Sequence, residues 1–239
     1  MSFASKTLSG PRLPPLRGKA THLVVLCHGY GADGNDLIGL APHWQRALPT
    51  VAFAAPNAPE RVPGSPGYQW FPISRLDPAE MKRGVESAAE ILDGFLDAEL
   101  ARHELPPERL ALVGFSQGTM MSLHVGLRRP VKPVGIVGFS GTIVGEPPKA
   151  QQDTPPVLLV HGSADPMIPV QALFTSAAAL GASGTTVQWH ISPGVGHSID
   201  EAGLMLGGTF LTQALRGMLA RRDNAELSCP LQMNTSQPA

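Results

Sequence analysis

Gly114-Phe115-Ser116-Gln117-Gly118 follows an apolar run at residues 110–113 and precedes a segment of helical character. A G-x-S-x-G between a strand and a helix is a turn so tight that its serine takes a strained backbone conformation. Side chains two positions either side of that serine would collide with neighbouring backbone, which accounts for Gly114 and Gly118. The strain lifts the hydroxyl out of the sheet. It also starts a helix whose first N–H groups face developing negative charge. The five-residue pattern is common by itself, and the strand before and helix after give it weight. The rest of the chain then has to supply a base, an acid to orient it and a second oxyanion donor.

Outward from this turn, strand and helix signals alternate. Residues 22–27 form a continuous apolar run that reads as a central strand buried on both faces. Further strands are expected at 51–55, 110–113, 134–139, 157–161 and 185–191, with a short edge strand near 3–8. One helix is expected from a cap at Asn35 or Asp36 through Leu37, Ile38 and Leu40. Asp77-Pro78-Ala79-Glu80 starts a second, which carries Val85, Leu92 and Phe95 at helical spacing. The helix from Gln117 closes with Arg128 and Arg129 before Pro130, cations at the negative end of the dipole. Two more are expected, one at 170–180 ended by Gly181 and one from Asp200 to about Leu219 with a bend at Gly207-Gly208. Residues 56–78 are irregular and rich in proline; a loop of that length in a compact domain is usually functional or disordered, and the embedded Tyr68, Trp70 and Phe71 favour a packed loop. The class is therefore α/β: one domain with a mostly parallel central sheet and helices on both faces. Its expected parts are an N-terminal segment at 1–20, a catalytic domain at 21–220 and a flexible polar tail at 221–239.

The chain has 239 residues, 43% hydrophobic and 15% charged, enough for one large domain with a substantial core. A net charge of −1 without a long basic run argues against nucleic acid or an anionic membrane surface as the main partner. Cys27, in an apolar strand, and Cys229, in a polar tail, are poorly placed for a disulfide, and such usage suits a reducing compartment. Metal-ligand spacing, a signal-type apolar segment and a run of transmembrane length are all absent from the sequence. The expectation is a soluble, cytoplasmic protein.

Serine hydroxyls are poor nucleophiles at neutral pH and need an adjacent base, so Ser116 is the first of several linked candidates. Ser140, in Gly138-Phe139-Ser140-Gly141, also follows a strand, but the residues after it make a poor helix, so packing is the better reading there. Eight histidines compete for the role of base. His197 lies between the last strand and the last helix, at the carboxyl edge of a parallel sheet, where ligands bind in such folds. His28 and His161 are also at strand ends, but earlier in the chain than the order of parts allows. Asp165, immediately after a strand, is the acid that would hold the imidazole in one tautomer. The order Ser116, Asp165, His197 matches a known order of serine, acid and histidine. Oxyanion donors are expected from the backbone N–H of Gln117 and that of Tyr30, in the glycine-rich loop His28-Gly29-Tyr30-Gly31. Trp70, Phe71, Met167 and Ile168 are the candidates for an acyl pocket, alongside Tyr68.

These residues resemble the phospholipase/carboxylesterase family of α/β-hydrolases, which includes acyl-protein thioesterases and small bacterial carboxylesterases. The resemblance runs from about His22 to Leu219. It is carried by the glycine-rich loop through Gly34, Pro56-Asn57-Ala58-Pro59, Gln69-Trp70-Phe71, the Ser116 turn, residues 161–169 and Gly196-His197. It implies a compact fold without a large cap domain. It also implies hydrolysis of carboxylic esters, lysophospholipids or acyl thioesters, with no metal or organic cofactor. Ser116, Asp165 and His197 match the triad positions of the family, and Tyr30 and Gln117 match its oxyanion donors. The polar extension after Arg221 departs from the family pattern.

The leading expectation is thus a serine carboxylesterase working through an acyl-enzyme. Lysophospholipase or acyl-protein thioesterase activity with the same machinery is the alternative. A non-catalytic binding protein that kept the fold ranks last, since no triad member is missing. The expected partner is a small or lipid-like acyl ester, and a homodimer that shields the site would suit a capless fold.

Overall fold

A computed structural model describes residues 8–74 and 77–219. Strand β2 (His22–Cys27) is buried along its whole length. Leu23, Val25 and Cys27 face one apolar layer while Val24 and Leu26 face the other, the two-residue period of a pleated strand. β3 (Val51–Ala54), β6 (Leu110–Phe115), β7 (Ile136–Phe139) and β8 (Val157–Gly162) are central in the same way, and β9 (Val187–Ser192) is a more exposed edge. A two-residue strand β1 (Arg12–Leu13) pairs antiparallel with β3 at the other edge. The sheet order is β1-β3-β2-β6-β7-β8-β9, parallel except for β1.

Helices cover both faces. α3 (Pro78–Arg102), α4 (Gln117–Gly126) and α5 (Gln171–Ser183) give Val85, Leu92, Met121, Leu173 and Leu180 to one apolar layer. α1 (Gly34–Ile38), α2 (Ala41–Gln45) and α6 (Glu201–Leu215) give Leu37, Trp44, Phe210 and Leu211 to the other. This is the α/β-hydrolase arrangement, with crossover helices on both faces of a parallel sheet. No helix among the described residues is long and apolar enough to cross a membrane.

Several local expectations are corrected. The edge strand is at residues 12–13; residues 3–7 of the expected one lie outside the described residues, as do the 221–239 tail and Cys229. Asp33 rather than Asn35 or Asp36 caps α1, accepting from the N–H groups of Asn35 at 2.8 Å and Asp36 at 3.1 Å. The long loop is not wholly irregular, for it folds a small hairpin of β4 (Glu60–Arg61) and β5 (Tyr68–Gln69). Gly181 is inside α5, and the helix ends at Gly184, whose φ of 93° is the left-handed cap that glycine supplies at least strain. α6 runs unbroken through Gly207-Gly208: a side chain at 208 would lie 2.6 Å from Trp44, so close helix packing accounts for these glycines. Asp77 and Asp200 cap their helices as expected, accepting from Glu80 N–H and Gly203 N–H.

Candidate active site

The carboxyl ends of β2, β6, β8 and β9 bring the predicted residues to one edge of the sheet. At the end of β6, Ser116 has φ 53° and ψ −117°, a conformation that L-residues rarely adopt. Contacts on both sides impose it. A Cβ on Gly118 would fall 1.8 Å from the carbonyl oxygen of Cys27, and one on Gly114 would fall 2.4 Å from Gly118. The Ser116 N–H still donates to Phe139 O at 2.9 Å, so the turn happens while the last rung of the sheet is held. α4 begins at the next residue.

Asp165 follows β8, with its side chain fully buried. Oδ1 accepts the N–H groups of Met167 at 2.8 Å and Ile168 at 2.9 Å. Oδ2 accepts from His197 Nδ1 at 2.7 Å. Burial pushes the carboxyl pKa up, but the bonds from His197, Ile168 and Met167 outweigh it and hold the pKa below its ordinary value. Asp165 is therefore an acceptor, so His197 carries its proton on Nδ1 and keeps Nε2 free to take one. The Phe115 ring packs against the imidazole with centroids 4.9 Å apart. The Ser116 hydroxyl makes no hydrogen bond among the described residues, and a contact between nucleophile and base commonly tightens only when substrate binds.

Ser116 and His197 share a cavity of about 460 Å³ with Tyr30, Gln117, Ile73, Ser74, Met120, Met167 and Ile168. In the glycine-rich loop, Gly31 N–H is occupied by Tyr68 O at 2.8 Å and Ala32 N–H by Gly29 O at 3.3 Å. The N–H groups of Tyr30 and Gln117 have no acceptor among the described residues. Gly29 lets this loop approach, since a Cβ there would lie 3.2 Å from that of Ser116.

The acyl-pocket expectation is corrected in part. Met167 and Ile168 line the cavity; Trp70 and Phe71 do not, being core residues with 1% exposure each. A long loop without periodicity does not reveal in its sequence which aromatics turn inward. Ile73, Ser74 and Met120 were missed as lining residues. His161, set aside as a base by its place in the chain, packs behind the acid: its Nε2 donates to Ile168 O at 2.8 Å and lies 3.3 Å from Asp165 Oδ2. Its spacing of four residues from Asp165 was the one available signal. His28 is buried, and its Nε2 accepts from Ala58 N–H at 2.9 Å, which leaves Nδ1 to donate to Gly29 O at 2.7 Å. Burial lowers its pKa and keeps it neutral, a structural part of the loop.

The sequence pattern of the phospholipase/carboxylesterase family matches residues 12–215. The chain belongs to this family. Among curated relatives, acyl-protein thioesterase 1 of Gibberella zeae is 30% identical over 214 residues, covering 79% of this chain and 88% of that protein. Among solved structures, esterase PE8 is 43% identical with a TM-score of 0.80, covering 89% of this chain and all of that one, 100%. The phospholipase/carboxylesterase from Dyadobacter fermentans is 26% identical with a TM-score of 0.65, over 87% of this chain and 98% of that one. Membership of the family makes the protein a hydrolase of the esterase/thioesterase kind.

Proposed function

We propose that the protein is a carboxylesterase in which Ser116 is the nucleophile, His197 the general base and Asp165 the residue that orients it. The observation that carries this is the 2.7 Å bond from His197 Nδ1 to buried Asp165, with the imidazole and the strained Ser116 lining one cavity. His197 Nε2 takes the hydroxyl proton as Ser116 Oγ attacks the acyl carbonyl. The carbonyl oxygen, now negative, is received by the N–H groups of Tyr30 and Gln117, the latter at the positive end of α4. Collapse of the tetrahedral adduct breaks the ester bond, and His197 gives the proton to the leaving alcohol. Water then attacks the acyl-enzyme with His197 as base again, releasing the acid and restoring Ser116. Ile73, Met120, Met167 and Ile168 give the acyl chain an apolar lining. A fluorophosphonate is expected to label the folded protein once, at Ser116; labelling elsewhere, or none, refutes the assignment.

A second reading is supported by the relatives named acyl-protein thioesterase 1. The same residues can cleave a thioester, because the oxyanion step is common to both. The ratio of kcat/KM for an ester and a thioester of one acyl chain separates the two: a thioester preference above about tenfold moves the assignment to thioesterase.

A further inference from the structure

The oxyanion donors come from different loops, Tyr30 after β2 and Gln117 after β6, and something must fix the distance between them. Residues 68–71 touch both. On one side Tyr68 makes two backbone bonds to the glycine-rich loop, accepting from Gly31 N–H and donating to Ala32 O, each at 2.8 Å. The Trp70 indole Nε1–H adds a third, to His28 O at 2.9 Å. On the other side the Gln117 side chain pairs with the same segment like a peptide unit. Its Oε1 accepts Trp70 N–H at 2.8 Å, and its Nε2 donates to Phe71 O at 2.8 Å. Gln117 is 1% exposed, so both ends of its amide are satisfied away from water.

We propose that residues 68–71 form a positioning bracket, closed by the Gln117 side chain and the Trp70 indole, that sets the separation of the two oxyanion donors. The proposal rests on the reading of Tyr30 and Gln117 as those donors. It gives the fourth position of the G-x-S-x-G turn a chemical reason for being glutamine. Asparagine is too short to span to both partners. Glutamate keeps the acceptor for Trp70 N–H but sets an oxygen against Phe71 O. Methionine fills the space and makes neither bond. The bracket also accounts for Trp70 and Phe71 lying in the core while Ile73 and Ser74, two and three residues past Phe71, line the cavity. Contact between substrate and Ile73 therefore reaches the oxyanion geometry through a short, hydrogen-bonded piece of chain.

Gln117→Met removes the amide and leaves the backbone N–H in place. For a nitrophenyl ester, kcat is expected to fall about 10–100-fold with KM changed less than twofold, since misplaced donors fail chiefly the transition state. A trifluoromethyl ketone, which forms an oxyanion adduct with the serine, should lose affinity in step with kcat/KM. An unreactive amide of the same chain should not. A merely structural role would lower the melting temperature and leave the ratio of those two affinities unchanged. Trp70→Phe keeps an aromatic ring in the core, removes the indole donor and leaves a small cavity whose cost shows as a lower melting temperature; a three- to tenfold fall in kcat with the same split is expected. The bracket is overturned by kcat within twofold of wild type in folded Gln117→Met, or in Trp70→Phe if only that variant folds. Fluorophosphonate labelling of the wild type keeps the two claims apart: without label at Ser116 the hydrolase assignment falls, whereas label with an indifferent Gln117→Met removes the bracket alone.

Discussion

Strands β6 and β7 lie side by side with Gly114 opposite Gly138 and Phe115 opposite Phe139, and each continues into a serine of positive φ, 53° at Ser116 and 44° at Ser140. Both serines keep one more rung of the sheet, Ser116 N–H to Phe139 O and Ser140 N–H to Val160 O. The chain therefore leaves the sheet while its last N–H is still held, and a left-handed residue results at both places. There the likeness ends. A ten-residue helix starts directly after Ser116, and its first residue, Gln117, lines the cavity with no acceptor for its N–H among the described residues. No helix follows Ser140 directly; it is 1% exposed, and among the described residues its hydroxyl reaches only Ser198 O, at a long 3.5 Å. Strain alone does not mark a nucleophile. What sets Ser116 apart from Ser140 is the helix that starts after it and the cavity it lines.

Alanine at each serine is the harshest way to break this comparison. Ser116→Ala is expected to lower kcat on a nitrophenyl ester by 10⁴-fold or more, leaving the residual rate that binding and the oxyanion hole supply. Ser140→Ala should keep kcat within about fivefold, because it removes one weak hydrogen bond. Comparable losses from both would mean that β7 belongs to the machinery. Asp165→Asn comes next. It keeps the shape of the carboxylate but presents an amide to His197 and can reverse the tautomer. A fall in kcat of up to about 10⁴ is expected, with the circular dichroism spectrum unchanged. A loss of less than tenfold would remove Asp165 from its orienting role.

Much of this contrast was legible in the sequence. Glycines at 114 and 118, apolar residues before and helix formers after Ser116 announced the elbow, and Gly145 with Pro147-Pro148 denied Ser140 a helix. The order of serine, acid and histidine pointed to Asp165 and His197, each just past a strand, and the structure joins those two by one hydrogen bond. The left-handed conformation of Ser140 had no signature, since a non-glycine residue gives no sign of positive φ. The bracket of residues 68–71 was equally hidden. It depends on side-chain hydrogen bonds between positions 46 and 47 residues apart, which no local pattern encodes. The inward turn of Trp70 and Phe71 has no local signature for the same reason.

Glycine at each serine sharpens the comparison by separating stability from activity. A left-handed non-glycine residue costs about 1–3 kcal/mol, while glycine adds about 0.5–1 kcal/mol of unfolded-state entropy. Ser140→Gly should therefore gain about 1 kcal/mol, or about 2–4 °C in melting temperature, with activity kept. Ser116→Gly should gain at least as much and fall to the residual rate of Ser116→Ala, a direct measure of the stability given up to expose this hydroxyl. If neither variant gains stability in a thermal melt, the idea that the two turns share the same strain is wrong.

The mildest change tests whether the two turns are independent. Thr119, in the first turn of α4 and fully buried, has its hydroxyl 2.9 Å from both Gly114 O and Phe139 O, so one side chain joins the ends of β6 and β7. It also packs on the residue after Ser140, since a Cβ on Gly141 would lie 2.4 Å from that of Thr119. Thr119→Val keeps the shape and removes the hydroxyl. It should cost about 1–2 kcal/mol by urea denaturation, as for a buried hydrogen bond left unmade, with kcat reduced less than threefold. If the Ser140 turn is held in its strained state through Thr119, loosening that tie gives Ser140 room to relax. Glycine at 140 then gains less. A double-mutant cycle of Thr119→Val with Ser140→Gly should accordingly show a coupling of about 0.5 kcal/mol or more, the size expected of neighbours sharing a network. Additivity would mean that each strand end is strained on its own account, and that the elbow owes its geometry to Gly114 and Gly118 without help from the strand beside it.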